Sequence, residues 1–350
     1  MITVASRAPA RVSLVGGGTD LPAYFERFGG AVVSFTIDLY SRARAAPRAE
    51  DLVLVSDDAG IREVIPAGSY AKRMREPFIA EDFLAYQKAV AAYFEMERGT
   101  LSASSEIPTG AGLASSGSVC VALVLAVARF AGKDLDREAI ADAACYVEMD
   151  MLQRGSGKQD QYAAAFGGLN LIEFFRDGSV DVSPLAVADG VLHALEQRIM
   201  LFGTGARRSA VGPLREQAAR SAGDEDTVRA LHALKELAHD LRDVLERGDV
   251  DALGPMLHDA WEAKQHLNST LRGADLARAY ARAREAGAAG GKLAGAGTSG
   301  TLMLFVPPAA RDDVRAALGE EGWEEQPYRI DREGAVVEIR EEVDGELATP

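Results

Sequence analysis

From Ser115 to Phe130 the sequence is almost wholly apolar, and a helix made of it must be buried on most sides. Its longest apolar run, Val119 to Ala128, falls far short of the roughly 20 residues a membrane span needs. The segment therefore belongs inside a globular core. A strand-like stretch, Leu101 to Ile107, precedes it, joined by Pro108-Thr109-Gly110-Ala111-Gly112-Leu113-Ala114. The helix then opens on Ser115-Ser116-Gly117-Ser118. Small residues let a backbone approach an anion closely, and a helix start offers free N–H groups and the positive end of its dipole. With hydroxyls added, this is a recipe for phosphate binding. A plain Gly-Ser start to a buried helix is the alternative that these residues leave open.

The chain has 350 residues, enough for two domains or one large intimate pair. A boundary is expected near Gly178 to Gly190. Lys plus Arg number 38 against 53 Asp plus Glu, a formal charge of −15. Such a field repels polyanions, so neither nucleic acid nor an anionic membrane is an expected partner. Two cysteines, Cys120 and Cys145, exclude a disulfide scaffold and a cysteine-built zinc site. The five histidines show no ligand spacing. The N-terminus lacks a basic segment followed by an apolar one, so no signal peptide is expected. A soluble, cytoplasmic protein is the expectation.

Strand-like and helix-like segments mix without a regular βαβ rhythm, which favours an α+β fold. Helices are expected at Asp20 to Phe28, Glu81 to Arg98, Asp136 to Leu152 and Asp160 to Phe166. In the second half they are expected at Pro213 to Ser221, Glu225 to Glu246, Val250 to Leu267, Asp275 to Ala286 and Ala309 to Leu318. Strands are expected at Ala31 to Tyr40, Leu52 to Ser56, Leu169 to Phe174, Arg198 to Phe202, Lys292 to Ala294 and Thr301 to Val306, with Val12 to Val15 a short apolar run.

Two further glycine clusters stand out, Gly16-Gly17-Gly18 and Gly295-Ala296-Gly297. Gly291-Lys292 is followed by Leu293 and lacks a glycine five residues upstream, so it is not a Walker-type loop. Gly295 to Gly300 fits G-x-G-x-x-G literally, but the sequence after it reads as a strand. The dinucleotide fingerprint needs a helix there.

The segment Pro108 to Ser118 resembles the second motif of the GHMP kinases, the family of galactokinase, homoserine kinase and mevalonate kinase. Ala8-Pro9-Ala10-Arg11-Val12-Ser13, followed by Gly16-Gly17-Gly18-Thr19-Asp20, resembles their N-terminal motif, and Lys292-Leu293-Ala294-Gly295-Ala296-Gly297 their C-terminal one. Gly16 to Pro22, Gly157 to Tyr162 and Phe166-Gly167-Gly168 are similar to the bacterial D-glycero-D-manno-heptose 7-phosphate kinase subfamily and to the kinase part of L-fucokinases. The resemblance implies an N-terminal domain (1–185) of the ribosomal protein S5 domain 2-like type, binding nucleotide and sugar. A C-terminal ferredoxin-like α/β domain (186–350) would follow, with the site between them. A homodimer is compatible with it.

The resemblance also implies roles. ATP phosphates would lie on Pro108, Gly110, Ala111, Gly112, Leu113, Ala114, Ser115, Ser116, Gly117 and Ser118. Ser116 and Glu148 would hold Mg²⁺, which prefers oxygen ligands and keeps several waters. Asp160 would face the acceptor hydroxyl with Arg11 as its positive partner; read from the residues alone, Asp160 is equally a helix N-cap. Gly17, Gly18, Thr19, Asp20, Gln159, Gly295 and Gly297 would bind the sugar. Lys158, Arg207 and Arg208 would meet a sugar phosphate. The expected activity is ATP- and Mg²⁺-dependent phosphorylation of the anomeric hydroxyl of heptose 7-phosphate. The alternatives are a kinase for a non-phosphorylated sugar such as L-fucose, and a non-catalytic regulator of the same fold. Ala114 stands where many relatives carry glycine.

Overall fold

A computed structural model describes residues 2–69, 78–79, 82–108, 110–203, 211–221, 223–267, 274–295 and 300–342, with the backbone alone at 211–215, 274 and 339–342. Thr109, Arg207, Arg208 and Gly297 lie outside the described residues. The first half runs β1 (Ile2–Val15), α1 (Pro22–Phe28), β2 (Gly30–Ala46), β3 (Asp51–Ser56), β4 (Ile61–Pro66), α2 (Ala85–Tyr93), β5 (Gly99–Ser105), α3 (Ser115–Phe130), α4 (Arg137–Tyr146), α5 (Gln159–Phe166), β6 (Leu169–Phe174) and β7 (Val180–Pro184). The second runs α6 (Asp189–Arg198), β8 (Ile199–Gly203), α7 (Val211–Ser221), α8 (Glu225–Glu246), α9 (Leu253–Lys264), α10 (Ala274–Glu285), β9 (Gly290–Leu293), β10 (Thr301–Phe305), α11 (Arg311–Glu320), β11 (Glu324–Glu325), β12 (Ile330–Asp331) and β13 (Val336–Glu342).

One sheet has the order β13-β1-β2-β5-β3-β4, with β6 and β12 also on β2 and β7 on β6. The length of β2 explains the branching: residues 41–46 pair with β5 and residues 30–35 with β6. The other sheet has the order β11-β8-β10-β9. The chain ends do not respect a simple division into halves, because β12 and β13 return to β2 and β1.

Strand periodicity sets which way the side chains face. On β1, Ala10, Val12 and Leu14 enter a core shared with Leu231, Leu234, Leu241 and Leu245 of α8 and with Met303 and Phe305 of β10. That leaves Arg11 and Ser13 on the opposite face. There α3 packs, its Ser118 hydroxyl donating to Ala8 O at 2.7 Å. Register shifts flank Arg11, between Pro9 and Ala10 and between Ser13 and Val15; bulges of this kind re-aim side chains. On β10, Leu302 and Leu304 enter a third core with Trp261, Tyr280 and Val314, so this sheet is buried on both faces.

Several elements differ from the sequence expectation. The short apolar run Val12 to Val15 is the end of a strand that begins at Ile2, where scattered Arg and Ser residues interrupt the apolar pattern. The helix expected over 81–98 covers Ala85–Tyr93 alone. The helix expected over 136–152 ends at Tyr146 and gives way to a π-helical turn, Val147–Met151. Asp136 caps this helix, its carboxylate accepting from Ala139 N at 2.8 Å. Helix α5 starts at Gln159 with Lys158 as its N-cap, so Asp160 does not cap it. Among the described residues, no helix is long and apolar enough to cross a membrane.

Candidate active site

Backbone hydrogen bonds draw the three glycine motifs together. Arg11 N donates to Leu113 O at 3.1 Å and Thr301 N to Ala111 O at 2.9 Å. The Arg11 side chain adds a bond to Gly112 O at 3.4 Å. Gly112 and Gly295 lie back to back: a Cβ on Gly295 would stand 2.6 Å from Gly112 Cα. Only paired glycines allow that approach, so the middle loop is clamped between the first and third motifs.

A cavity of about 920 Å³ opens over this junction, large enough for two substrates. Arg11, Gly17, Gly18, Asp20, Gly110, Gly112, Ala114, Ser115, Ser116, Glu148, Gln159, Asp160 and Gly295 all line it. At its centre Arg11 and Asp160 form an ion pair and hydrogen bond.

At one end stands Glu148, placed by the π turn. Turns of this type recur at functional sites because they break the 3.6-residue rhythm and redirect a side chain. The Tyr86 hydroxyl donates to Glu148 Oε1 and Gln161 Nε2 to Oε2, both at 2.7 Å. Ser116 also bonds it. Glu148 is 2% exposed, and burial pushes its pKa up, against the hydrogen bonds from Tyr86 and Ser116 that lower it. Arg154 nearby favours the ionised form, and the Ser116 hydroxyl offers a second oxygen beside the carboxylate. Glu148 and Ser116 fit a hard divalent cation that completes its shell from water and phosphate.

At the other end lies Asp20. Its carboxylate accepts from Gly18 N at 2.9 Å and Gln159 N at 3.4 Å. Burial raises its pKa, and neighbouring Asp160 raises it further. Here the structure brings in cations to which no role was assigned from sequence. Lys264 of α9 and Lys292 of β9 are both buried and both line the cavity. Lys264 lies on the apolar stripe of its helix, four residues after Ala260 and three after Trp261. A lysine at that spacing was the available signal. Gln217 of α7 also lines the cavity, with nothing in the sequence to mark it.

Other expected site residues are not brought to the cavity. Thr19 is fully buried, its hydroxyl engaged with Gly16 O at 2.8 Å and Ala31 O at 3.0 Å, so it holds the first glycine turn. The buried Ser118 hydroxyl is committed to Ala8 O. The Lys158 ammonium donates to Gly178 O at 2.5 Å and sits over the Phe25 ring. Leu113 packs into a hydrophobic core. Pro108, Ala111 and Gly117 are absent from the lining, though Ala111 fixes the loop through its carbonyl. Helix α3 opens on Ala114 in the left-handed conformation, at φ 65°.

A loop feeding phosphate-sized space at a helix start, with a buried carboxylate on one side and an Arg–Asp pair on the other, suits an enzyme that moves a phosphoryl group between two bound partners. Comparison with known proteins gives the family. The GHMP kinases N terminal domain matches residues 80–168 and the GHMP kinases C terminal domain residues 230–324. The D-glycero-alpha-D-manno-heptose 7-phosphate kinase of Campylobacter jejuni is 30% identical over 341 residues, covering 95% of this chain and 98% of that one. The L-fucokinase/L-fucose-1-P guanylyltransferase of Bacteroides fragilis is 26% identical over 348 residues, 90% of this chain and 36% of that one. A crystal structure of a D-glycero-D-manno-heptose 1-phosphate kinase from Bacteroides thetaiotaomicron superposes with a TM-score of 0.76 at 25% identity, over 98% of this chain and 99% of that one. The chain belongs to the GHMP kinase family and has its mixed α/β fold of N- and C-terminal domains. It is an ATP-dependent sugar kinase.

Proposed function

We propose that the enzyme transfers the γ-phosphoryl group of ATP to the anomeric (C1) hydroxyl of D-glycero-D-manno-heptose 7-phosphate, giving the 1,7-bisphosphate. The observation that carries this is the placing of the Arg11-paired Asp160 carboxylate, packed on the start of the phosphate-loop helix at Gly117 and flanked by Gln159, bonded to Asp20, and Gln161, bonded to Glu148. In the same cavity Ser13 Oγ and Gln159 Oε1 are buried without a partner among the described residues, and a sugar's hydroxyls would satisfy them. Two of the three relatives named above support a heptose phosphate, although their names differ on where its phosphate sits; the third acts on L-fucose by its name.

The loop at Gly110 to Ser116 cradles the nucleotide phosphates, and the apolar mouth at Ile61, Phe83 and Val119 covers the base. Ser116 and Glu148 would hold Mg²⁺, which would supply neutralising charge to the phosphates. The Asp160 carboxylate receives the hydrogen bond of the acceptor hydroxyl and aligns it for in-line attack. Arg11 fixes that carboxylate and lends positive charge to the transferring group. Asp20 and Gln159 accept from sugar hydroxyls. Residues 1–185 carry these nucleotide and sugar contacts, and the 186–350 domain adds Gln217, Lys264, Lys292 and Gly295 to the cavity lining while its last strands return to the first sheet. The reaction belongs in the cytoplasm, and a homodimer is compatible with it.

An ADP-release assay with MgATP against heptose 7-phosphate, its neutral parent, L-fucose, galactose and mannose tests the acceptor. Turnover led by the 7-phosphate is expected. Preference for L-fucose or another neutral sugar would replace the acceptor and keep the kinase chemistry. Nucleotide binding without turnover on any of them would favour a regulator.

A further inference from the structure

The charged groups that line the cavity influence one another. Asp160 acts on both Glu148 and Asp20. Lys264 answers to Arg11 and Asp20, and Lys292 to Lys264 and Arg11. Lys264 holds the third glycine motif through Leu293 O and Gly295 O, and both lysines line the same cavity as Arg11 and Asp20.

Arg11 is paired with Asp160, and Lys264 and Lys292 add two buried amines to the same cavity. Lys264 Nζ donates to Leu293 O at 2.9 Å and Gly295 O at 2.5 Å, which leaves one of its three donors. Lys292 is 4% exposed and makes no hydrogen bond or ion pair among the described residues. Arg11 Nε and Gln217 Nε2 are buried donors without partners there. Burying charge and donors unmet is costly. A bound anion would meet these donors and hold protons on the two amines that burial drives off; a neutral sugar would do only the first.

We propose that Lys292, with Lys264, Arg11 and Gln217, forms an oxyanion pocket that takes the phosphate group carried by the acceptor. The pocket follows from the geometry; identifying its anion as the acceptor's phosphate rests on the function proposed above. Lys158 is occupied elsewhere, so the pocket is assembled from α9, β9 and α7 around β1, and a substrate phosphate binding there would draw these elements together.

Binding and kinetics of Lys292→Met and Lys292→Arg test this separately. With the nucleotide site saturated by MgADP, inorganic phosphate should raise the melting temperature of the wild type and of Lys292→Arg. It should leave that of Lys292→Met in place. Without phosphate, Lys292→Met should melt no lower than the wild type, because it replaces a buried amine that has no partner among the described residues with an apolar side chain. In turnover, Lys292→Met should raise KM for heptose 7-phosphate about 30-fold, the loss expected for a charge-assisted hydrogen bond, and the arginine variant should recover most of it. Phosphate stabilisation equal in wild type and Lys292→Met would overturn the pocket. So would a fall in kcat shared equally by phosphorylated and neutral acceptors, which would place Lys292 on the transferring group. If the wild type accepts no sugar phosphate yet shows Lys292-dependent phosphate binding, the pocket stands and the heptose 7-phosphate assignment fails.

Discussion

Gly117, in the first turn of α3, lies against Asp160 of α5 so closely that a Cβ on the glycine would stand 2.7 Å from the Asp160 Cβ. The glycine lets the phosphate-loop helix and the helix carrying the central carboxylate meet face to face. Gly117→Ala should displace Asp160 from Arg11 and lower kcat about 100-fold, since small misplacements of an aligning group carry such penalties. The overpacking should cost about 1–3 kcal/mol of stability. Steady-state kinetics beside urea unfolding check both; an unaltered kcat would show that Asp160 tolerates displacement.

Asp160→Asn keeps the shape and removes the charge. Nucleotide affinity should persist while kcat falls by about 10²–10⁴, the range for loss of a group acting on a transferred proton. A rate near the wild type would remove Asp160 from the mechanism.

Ala114 holds a left-handed conformation at φ 65°, which costs an alanine about 1–2 kcal/mol relative to a residue without Cβ. Part of that gain is lost to the freer unfolded chain. Ala114→Gly should therefore stabilise the protein by about 1 kcal/mol, measured as a shift in the urea midpoint at constant slope. Destabilisation would mean that its buried methyl outweighs the backbone term.

Glu148→Gln retains hydrogen-bonding capacity toward Tyr86 and Gln161 and abolishes the buried charge. Stability should hold or rise, because burial disfavours the ionised Glu148. Activity should fall by about 10²–10³, as when a single electrostatic stabiliser is removed, with a higher Mg²⁺ requirement. A normal Mg²⁺ dependence in Glu148→Gln would exclude Glu148 as a metal ligand.

Burial, with Arg11 on β1 adding to it and Asp20 opposing, brings the Lys264 ammonium down to about 7. Burial, Lys264 and Arg11 drive Lys292 in the same direction. At low pH both states of the protein carry the protons and the folded state bears the full penalty. As pH rises above about 7 the folded state releases the Lys264 proton while the unfolded chain keeps its own up to about 10. The unfolded state then binds more protons, so stability should rise with pH. Urea unfolding from pH 7 to 9.5 in phosphate-free buffer should show that rise, smaller in Lys264→Met. A falling or identical slope in both would contradict it.

Much of the site was legible because its chemistry is local in sequence. The run from Gly110 to Ser116 carries loop, helix start and hydroxyls together, and Ser115 to Phe130 announces its own burial. Asp160, Glu148 and Arg11 were reachable only through resemblance, since each alone reads as an ordinary cap, surface or strand residue. What could not be read depends on three-dimensional closure. The π turn at Val147–Met151 leaves no mark in a helical pattern. The return of β12 and β13 to the first sheet joins residues more than 290 positions apart. Lys264 and Lys292 acquire meaning only once α9 and β9 pack beside Arg11, and Thr19 looked like a ligand until its hydroxyl was seen bound to Gly16 and Ala31.

The most direct measurement is ³¹P NMR of the product made from MgATP and D-glycero-D-manno-heptose 7-phosphate. The account predicts a second phosphorus signal that couples to the anomeric proton while the original 7-phosphate signal persists, with one ADP formed per new phosphate ester. A new phosphate on any other carbon, or ADP formed only with a neutral sugar, would contradict it.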